Sequence, residues 1–143
     1  MRKKILLFLL IAGVSFLLNV AWENLQAPLY QGYSNFWQHF PICSVASLGD
    51  VLIILVLYFV LAVINRDMLW IKKISKGDVI LIISLGALVA VGIEKWALAT
   101  LRWQYASAMP LIPYAEVGLL PVLQMIVLPV VTYYISKRVA FSV

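Results

Sequence analysis

The sequence predicts an all-α polytopic membrane protein, a four-helix bundle with both termini in the cytoplasm. Hydrophobic residues make up 64% of the 143-residue chain and charged residues only 12%, whereas soluble domains are about half apolar and about a quarter charged. The hydrophobic residues form four continuous runs, each near the roughly 20 residues that a helix needs to cross a bilayer. We expect helices because hydrocarbon offers no partners for unpaired backbone groups.

The predicted helices lie at about 5–27, 44–65, 78–99 and 116–136, and they form one domain over 1–143. The first run follows a basic N-terminus, as in a signal peptide. It is longer than a usual signal core and lacks a good cleavage site, so we expect a retained membrane helix.

Two short motifs resemble the start of a helix. Ser47-x-x-Asp50 and Ser75-x-x-Asp78 are both similar to a capping box, with Asp in place of the usual Glu or Gln. A second helix that began only at Asp50 would be short for a membrane span. A start near Ser44 would instead place Asp50 inside the helix, so the role of Asp50 stays open.

The distribution of positive charge predicts the orientation. Nine of the eleven basic residues lie at the ends of hydrophobic runs, and the positive-inside rule places such clusters in the cytoplasm. The aromatic-rich segments 24–43 and 100–116 then face outward. The clusters are Arg2, Lys3 and Lys4; Arg66, Lys72, Lys73 and Lys76; and Lys137 and Arg138.

These features also predict location and partners. We expect a multi-pass protein of the cell membrane, in the inner or plasma membrane of a prokaryote. Because the basic residues flank membrane segments, the net charge of +5 does not indicate a nucleic-acid partner. Membrane lipids are the expected partners, a small hydrophobic ligand is compatible with the composition, and a homo-oligomer or a larger membrane complex stays open.

Four of the six acidic residues lie near the outward ends of the runs. A carboxylate in or beside hydrocarbon is costly and indicates a functional role. Glu94 lies inside an apolar run, and Glu23 shares a helix face with Asn19. Glu116 has an alternative role as a helix cap. The sequence therefore predicts Glu94, Glu23 and Asp50 as the catalytic acids and bases.

The predicted substrate-binding residues are amphipathic rings and polar side chains near the same end of the runs. Gln124 belongs to this set because Pro129 predicts a kink in its helix, and kinked helices with a buried amide often line cavities. Arg102 is a counter-ion for the acids or a contact for lipid phosphate. The full set is Trp22, Trp96, Arg102, Trp103, Tyr105, Gln124 and Asn19.

We expect no metal site and no cofactor. His39 and Cys43, the single histidine and cysteine, are spaced to share a helix face, but a metal site needs three or four ligands. No nucleotide-binding or hydrolase motif is present.

One segment resembles a known family. Arg102-Trp103-Gln104-Tyr105, followed by the helix from Glu116, is similar to the W-x-Y motif and later acidic helix of the membrane carotenoid (lycopene) cyclases. The Pro-x-Glu-Glu type motif of those enzymes is missing here, and the similarity covers a short part of the chain. It therefore assigns no family.

The favoured function is acid–base chemistry on a lipid or isoprenoid-like substrate, of the isomerase or cyclase type. An apolar pocket favours the protonated form of a carboxyl group, which then acts as a general acid. Aromatic faces stabilise a cationic intermediate. Two alternatives stay open: a transporter or channel subunit for protons or cations, and an accessory subunit of a larger membrane complex.

Overall fold

The computed structural model describes residues 2–141 and contains four helices of membrane-spanning length. They are α1 (Arg2–Gln26), α2 (Phe36–Ile64), α3 (Lys76–Ala99) and α4 (Leu119–Phe141). Each is long and apolar enough to cross a bilayer. The predicted all-helical fold with four membrane-length helices is confirmed.

The second helix begins earlier than the sequence indicated. The Asn35 side chain caps it by accepting a hydrogen bond from the Gln38 N–H at 3.1 Å. Ser47 and Asp50 consequently lie inside α2, and the Ser47 hydroxyl donates to a carbonyl one turn earlier at 2.7 Å. The explanation of Asp50 as a helix cap is therefore wrong, because an amide cap upstream already starts the helix.

The similar motif at the start of α3 does cap its helix. The Ser75 hydroxyl accepts from the Asp78 N–H at 3.1 Å, and the Asp78 carboxylate accepts from the Ser75 N–H at 2.8 Å. Asn65, just after α2, donates to the same carboxylate at 2.8 Å. Asp78 therefore joins the ends of two helices and has a structural role.

The start of α4 also differs from the expected position. Glu116 lies in the preceding loop, exposed and with a φ of 55°, and α4 begins only at Leu119. The Leu119 N–H donates to the Pro110 carbonyl at 2.8 Å, which fixes the entry of the chain into the helix. The explanation of Glu116 as the cap of this helix is therefore wrong.

The helices pack in the ring order α2, α1, α4, α3. α1 packs along both α2 and α4, and α3 packs along α4, whereas α2 and α3 barely touch. Where α2 turns into α3, a short 3-10 helix, Trp70–Lys73, closes the bundle with Trp70 and Ile71 buried. The Trp70 indole donates to the Tyr58 carbonyl at 3.1 Å. The bundle is thus sealed at the α2–α3 turn.

The opposite end is covered by the two longer loops. Tyr30 and Tyr105 form an antiparallel bridge. The Gln31 N–H donates to the Gln104 carbonyl, and the Ala106 N–H donates to the Leu29 carbonyl, both at 2.9 Å. The loops after α1 and after α3 are therefore joined over this end, which we call the loop-covered end.

Gly86 sets the distance between α3 and α4. A Cβ atom at Gly86 would lie 2.1 Å from the Met125 carbonyl oxygen, so only glycine permits this approach. Pro129 lacks the N–H that would otherwise pair with that carbonyl. The Met125 carbonyl therefore lacks its usual hydrogen bond within the helix. Gly86 packs against this carbonyl through its Cα, which is a contact of the Cα–H···O type.

We expect Gly86→Ala to lower the stability of the bundle by about 1–3 kcal/mol, because the added methyl group must push α3 away from α4. Gly92→Ala is the matched control. A Cβ at Gly92 meets nothing within 4 Å, and alanine favours a helix over glycine. Thermal unfolding in detergent, followed by circular dichroism, measures the difference. Equal melting temperatures would contradict the close contact.

Candidate functional site

A cavity of about 550 Å³ lies at the loop-covered end, within the bundle. Its volume falls in the range of pockets that bind small molecules. Side chains from all four helices and from both loops line it. Three carboxyl groups reach it, those of Glu23, Asp50 and Glu94, and much of the remaining wall is apolar, with Ile42, Val45, Ile53, Ala90, Ile93 and Met125.

The amide of Gln124 in α4 joins the acids of α1 and α2. Its nitrogen lies 3.0 Å from a Glu23 oxygen, 2.9 Å from an Asp50 oxygen and 2.8 Å from the Asn19 oxygen. Gln124 is buried, with 2% of its surface exposed. An amide carries two N–H hydrogens, so at most two of these three oxygens accept at once. Gln124 therefore ties three helices together through one polar group.

A directional chain of hydrogen bonds orients this amide. The Trp22 indole donates to the Gln26 oxygen at 3.2 Å, and the Gln26 nitrogen donates to the Gln124 oxygen at 3.0 Å. Gln124 in turn donates to Asn19, whose own nitrogen donates to the Ser15 carbonyl at 2.8 Å. Each oxygen in the chain receives a donor, so the Gln124 amide nitrogen, and not its oxygen, faces the acids.

Glu23 and Asp50 form a pair. An oxygen of each carboxyl group lies within 3.0 Å of the Gln124 amide nitrogen. Carboxylates only accept hydrogen bonds, so the two groups face the same donor. The Gln26 nitrogen donates to the same Glu23 oxygen at 3.0 Å. The pair therefore lies at the cavity wall beside two amide donors.

Glu94 lies on another wall of the cavity and is bound differently. It is buried, with 5% of its surface exposed. The Trp103 indole donates to its Oε2 atom at 3.2 Å, and the Tyr105 hydroxyl donates to the same atom. Oε1 has no hydrogen-bond donor among residues 2–141. Glu94 is thus fixed by two aromatic donors to one of its oxygens, Oε2.

The Tyr105 hydroxyl is held as a donor. It accepts the Gly118 N–H at 2.9 Å while it donates to Glu94. Burial and the bond to Glu94 raise the pKa of the Tyr105 phenol above its usual value. Burial and the nearby carboxyl groups likewise raise the pKa of Tyr30, which lines the cavity. Both rings therefore remain protonated at neutral pH.

The end of α3 explains how these donors reach Glu94. Leu101 adopts a φ of 55°, its N–H donates to the Leu98 carbonyl, and the Arg102 N–H donates to the Ala97 carbonyl. This is the Schellman pattern that reverses the chain after a helix. The reversal returns Trp103 and Tyr105 to the last turns of α3, where Glu94 lies.

Arg102 lies at the rim of the cavity and packs on an aromatic ring. Its guanidinium stands 4.9 Å from the centre of the Trp96 ring, and Trp96 is 52% exposed. Both hydrogen bonds to the Glu94 side chain come from aromatic residues. The structure therefore places Arg102 beside Trp96 and leaves its role as a phosphate contact a prediction.

The structure brings most of the predicted residues together. Glu23, Asp50, Glu94, Arg102, Trp103 and Gln124 line the cavity, while Tyr105 and Asn19 contact its acids or amide. Trp22 and Trp96 are not part of the cavity lining. Trp22 donates a hydrogen bond to Gln26, and the Arg102 guanidinium packs on the Trp96 ring. Their predicted contact with substrate stays a prediction.

Several cavity residues were missed in the sequence. Gln26 extends the face of Glu23 by three residues and shares its contact to Gln124, a spacing that could have revealed it. His39 and Cys43 line the cavity because α2 starts at Phe36. No cluster of three or more potential metal ligands occurs within 2–141. These two side chains are part of the cavity wall.

Comparison of the chain with protein-family models, with curated proteins and with solved structures finds no match. The chemistry of the cavity therefore carries the functional proposal.

We expect Gln124→Leu to destabilise the protein by about 2 kcal/mol or more, because buried partners left without a hydrogen bond cost about 1–3 kcal/mol each. Gln104→Leu is the matched control, since the Gln104 side chain is exposed. Thermal unfolding in detergent compares the two. A Gln124→Leu protein as stable as the control would show that the amide does not hold the helices together.

Proposed function

We propose that this protein is a multi-pass membrane enzyme that performs acid–base chemistry on a lipid or isoprenoid-like substrate. The observation that supports this most is the arrangement of carboxyl groups in one largely apolar cavity. Glu23 and Asp50, which lie at the same Gln124 amide, contribute to one part of the wall, and Glu94 contributes to another. Pairs of acids in different surroundings are typical of enzymes that both give and take protons.

In the proposed reaction one carboxyl group of the Glu23–Asp50 pair carries a proton, because two neighbouring carboxylates in an apolar cavity do not both ionise. Transfer of this proton to one carbon of a substrate double bond leaves a positive charge on the other carbon and a carboxylate pair on the protein. The Gln124 amide nitrogen lies 2.9–3.0 Å from oxygens of both acids, and its N–H stabilises that negative charge. The rings of Tyr30 and Trp103 line the same cavity, and aromatic faces stabilise cations.

Glu94 completes the proposed reaction as a base. Its Oε1 atom accepts a proton from a carbon next to the cation, and the electrons of that C–H bond form the new double bond. Water then returns a proton to the pair and removes one from Glu94, so atoms and charge balance without a co-reactant. The product is an isomer of the substrate.

The basic clusters support a proposed orientation. The cavity lies among the C-terminal ends of α1 and α3 and the N-terminal halves of α2 and α4, while the clusters lie at the other helix ends. By the positive-inside rule the termini are cytoplasmic and the cavity faces outward. We place the protein in the inner or plasma membrane of a prokaryotic cell.

Proton or cation passage is a second candidate, which one observation favours. The hydroxyls of Thr132 and Ser136 are fully buried and lack a hydrogen-bond partner among the described residues. They lie two and three turns after Gln124 on the same face of α4. Together with Ser15 and Asn19, they extend polar character from the cavity into the bundle.

The test is conversion of a lipid extract by the purified protein, followed by mass spectrometry and chromatography. We expect a product of unchanged mass and altered retention, formed at least about a hundredfold more slowly by Glu94→Gln, as is usual when a general base is lost. Glu116→Gln is the matched control, because Glu116 is exposed and outside the cavity lining.

Full turnover by Glu94→Gln would contradict the assignment of the base. Proton flux in liposomes without any lipid product would favour the second candidate.

A further inference from the structure

From the packing of α2 and α3, we infer that the hydrocarbon chain of the substrate enters the cavity sideways from the bilayer, through the gap between these helices. This inference rests on the proposed function, because it concerns the substrate of the same cavity. It adds a substrate class: a long-chain amphiphile whose tail remains in the membrane during the reaction.

The wall formed by α2 is both part of the cavity and part of the outer surface. Ile42 and Val45 line the cavity, yet they are 62% and 69% exposed. Ala46 and Gly49 line it as well and are also exposed. Val45, Ala46 and Gly49 lie three, four and seven residues after Ile42, so all four residues share one face of α2. This face therefore borders an opening rather than a closed wall.

Across the opening, the α3 side is equally apolar. Ala90 and Ile93 line the cavity there, and Ile93 is partly exposed. The neighbouring pairs α1–α2, α1–α4 and α3–α4 pack along each other, whereas α2 and α3 barely touch. The bridge between Tyr30 and Tyr105 joins the loops over the end of the bundle. The gap is consequently the side of the cavity that the fold leaves unpacked.

The position of the gap determines what can occupy it. Both bordering helices are long and apolar enough to span a membrane, so a side opening between them faces hydrocarbon. A hydrocarbon chain gains contacts with Ile42, Val45 and Ile93 and brings no polar group to be buried. The polar groups of the cavity, Glu94 and the Glu23–Asp50 pair, lie deeper, where a double bond near the head of such a molecule would reach them.

An open side also removes a limit on substrate size. A closed cavity of about 550 Å³ accepts a molecule of drug-like size, whereas a gap to the bilayer lets the remainder of a longer chain stay in lipid. Only the reacting segment then has to leave the membrane. The chain also never passes through water, so the cost of exposing its apolar surface to water does not arise.

The test uses two glycine variants in nanodiscs of phosphatidylcholine. Gly49→Phe places a ring at the opening, and Gly13→Phe places one on an exposed position of α1. An added Cβ meets nothing within 4 Å at either site, so both variants are expected to fold. The reporter is Cys43, the single cysteine, which is buried and lines the cavity.

The probe is N-dodecylmaleimide, a thiol reagent that partitions into lipid, and intact-mass spectrometry follows its addition. We expect Gly49→Phe to slow labelling of Cys43 severalfold and Gly13→Phe to leave the rate at that of the wild type. A stearic acid that carries a mid-chain diazirine should give photo-adducts on segment 42–49 in the wild type and fewer in Gly49→Phe.

Equal labelling rates in the two variants would overturn the inference. So would faster labelling by a charged, membrane-impermeant maleimide, which would indicate access from water. None of these measurements requires turnover. Loss of lateral access is thus distinguishable from failure of the proposed reaction, which the Glu94→Gln experiment tests.

Discussion

The hydrogen bonds of the Gln124 amide are the interaction on which the rest of the structure depends. Polar groups inside a membrane bundle need internal partners, because hydrocarbon offers none. Glu23 and Asp50 come from different helices, and the amide nitrogen from a third helix lies within 3.0 Å of an oxygen of each. The acids therefore stabilise the association of α1, α2 and α4 instead of opposing it, and the same contacts hold them at the edge of the cavity.

Glu94 also has hydrogen-bond partners within the protein, and they come from the loop that follows its helix, α3. Its partners, Trp103 and Tyr105, come from the segment that turns back after α3. α3 thus needs no polar partner from α2, and it packs instead on α4 through Gly86. This difference explains the architecture: three helices meet around a shared amide, while the fourth stands apart from α2 and leaves the cavity open on that side.

The sequence was sufficient to predict the four membrane-length helices and to single out the three acids that line the cavity. Continuous apolar runs predict membrane helices because their length alone meets the thickness of the bilayer, and an acid within such a run, Glu94, indicates a buried site. The local sequence could not separate the two Ser-x-x-Asp motifs. One caps α3 and the other lies inside α2, because Asn35 supplies an earlier cap. Whether such a motif starts a helix therefore depends on a residue outside the motif.

Contacts between distant segments were the part that the sequence could not provide. Gln26 and Gln124 are 98 residues apart, and only packing of α1 against α4 brings them together. Arg102 is another example, since charge alone suggested an acid as its partner, whereas the Schellman turn places its guanidinium over Trp96. The lateral gap likewise follows from which helix pairs pack and not from the composition of either helix.

Turnover in D₂O tests whether the Glu23–Asp50 pair gives a proton to carbon and Glu94 removes another. Because carboxyl protons exchange with solvent, each molecule of product should gain one deuterium on carbon, detected as a mass increase of the lipid. Asp50→Asn should abolish this incorporation while the protein stays folded. A product that forms at the normal rate in D₂O without deuterium on carbon would contradict the account.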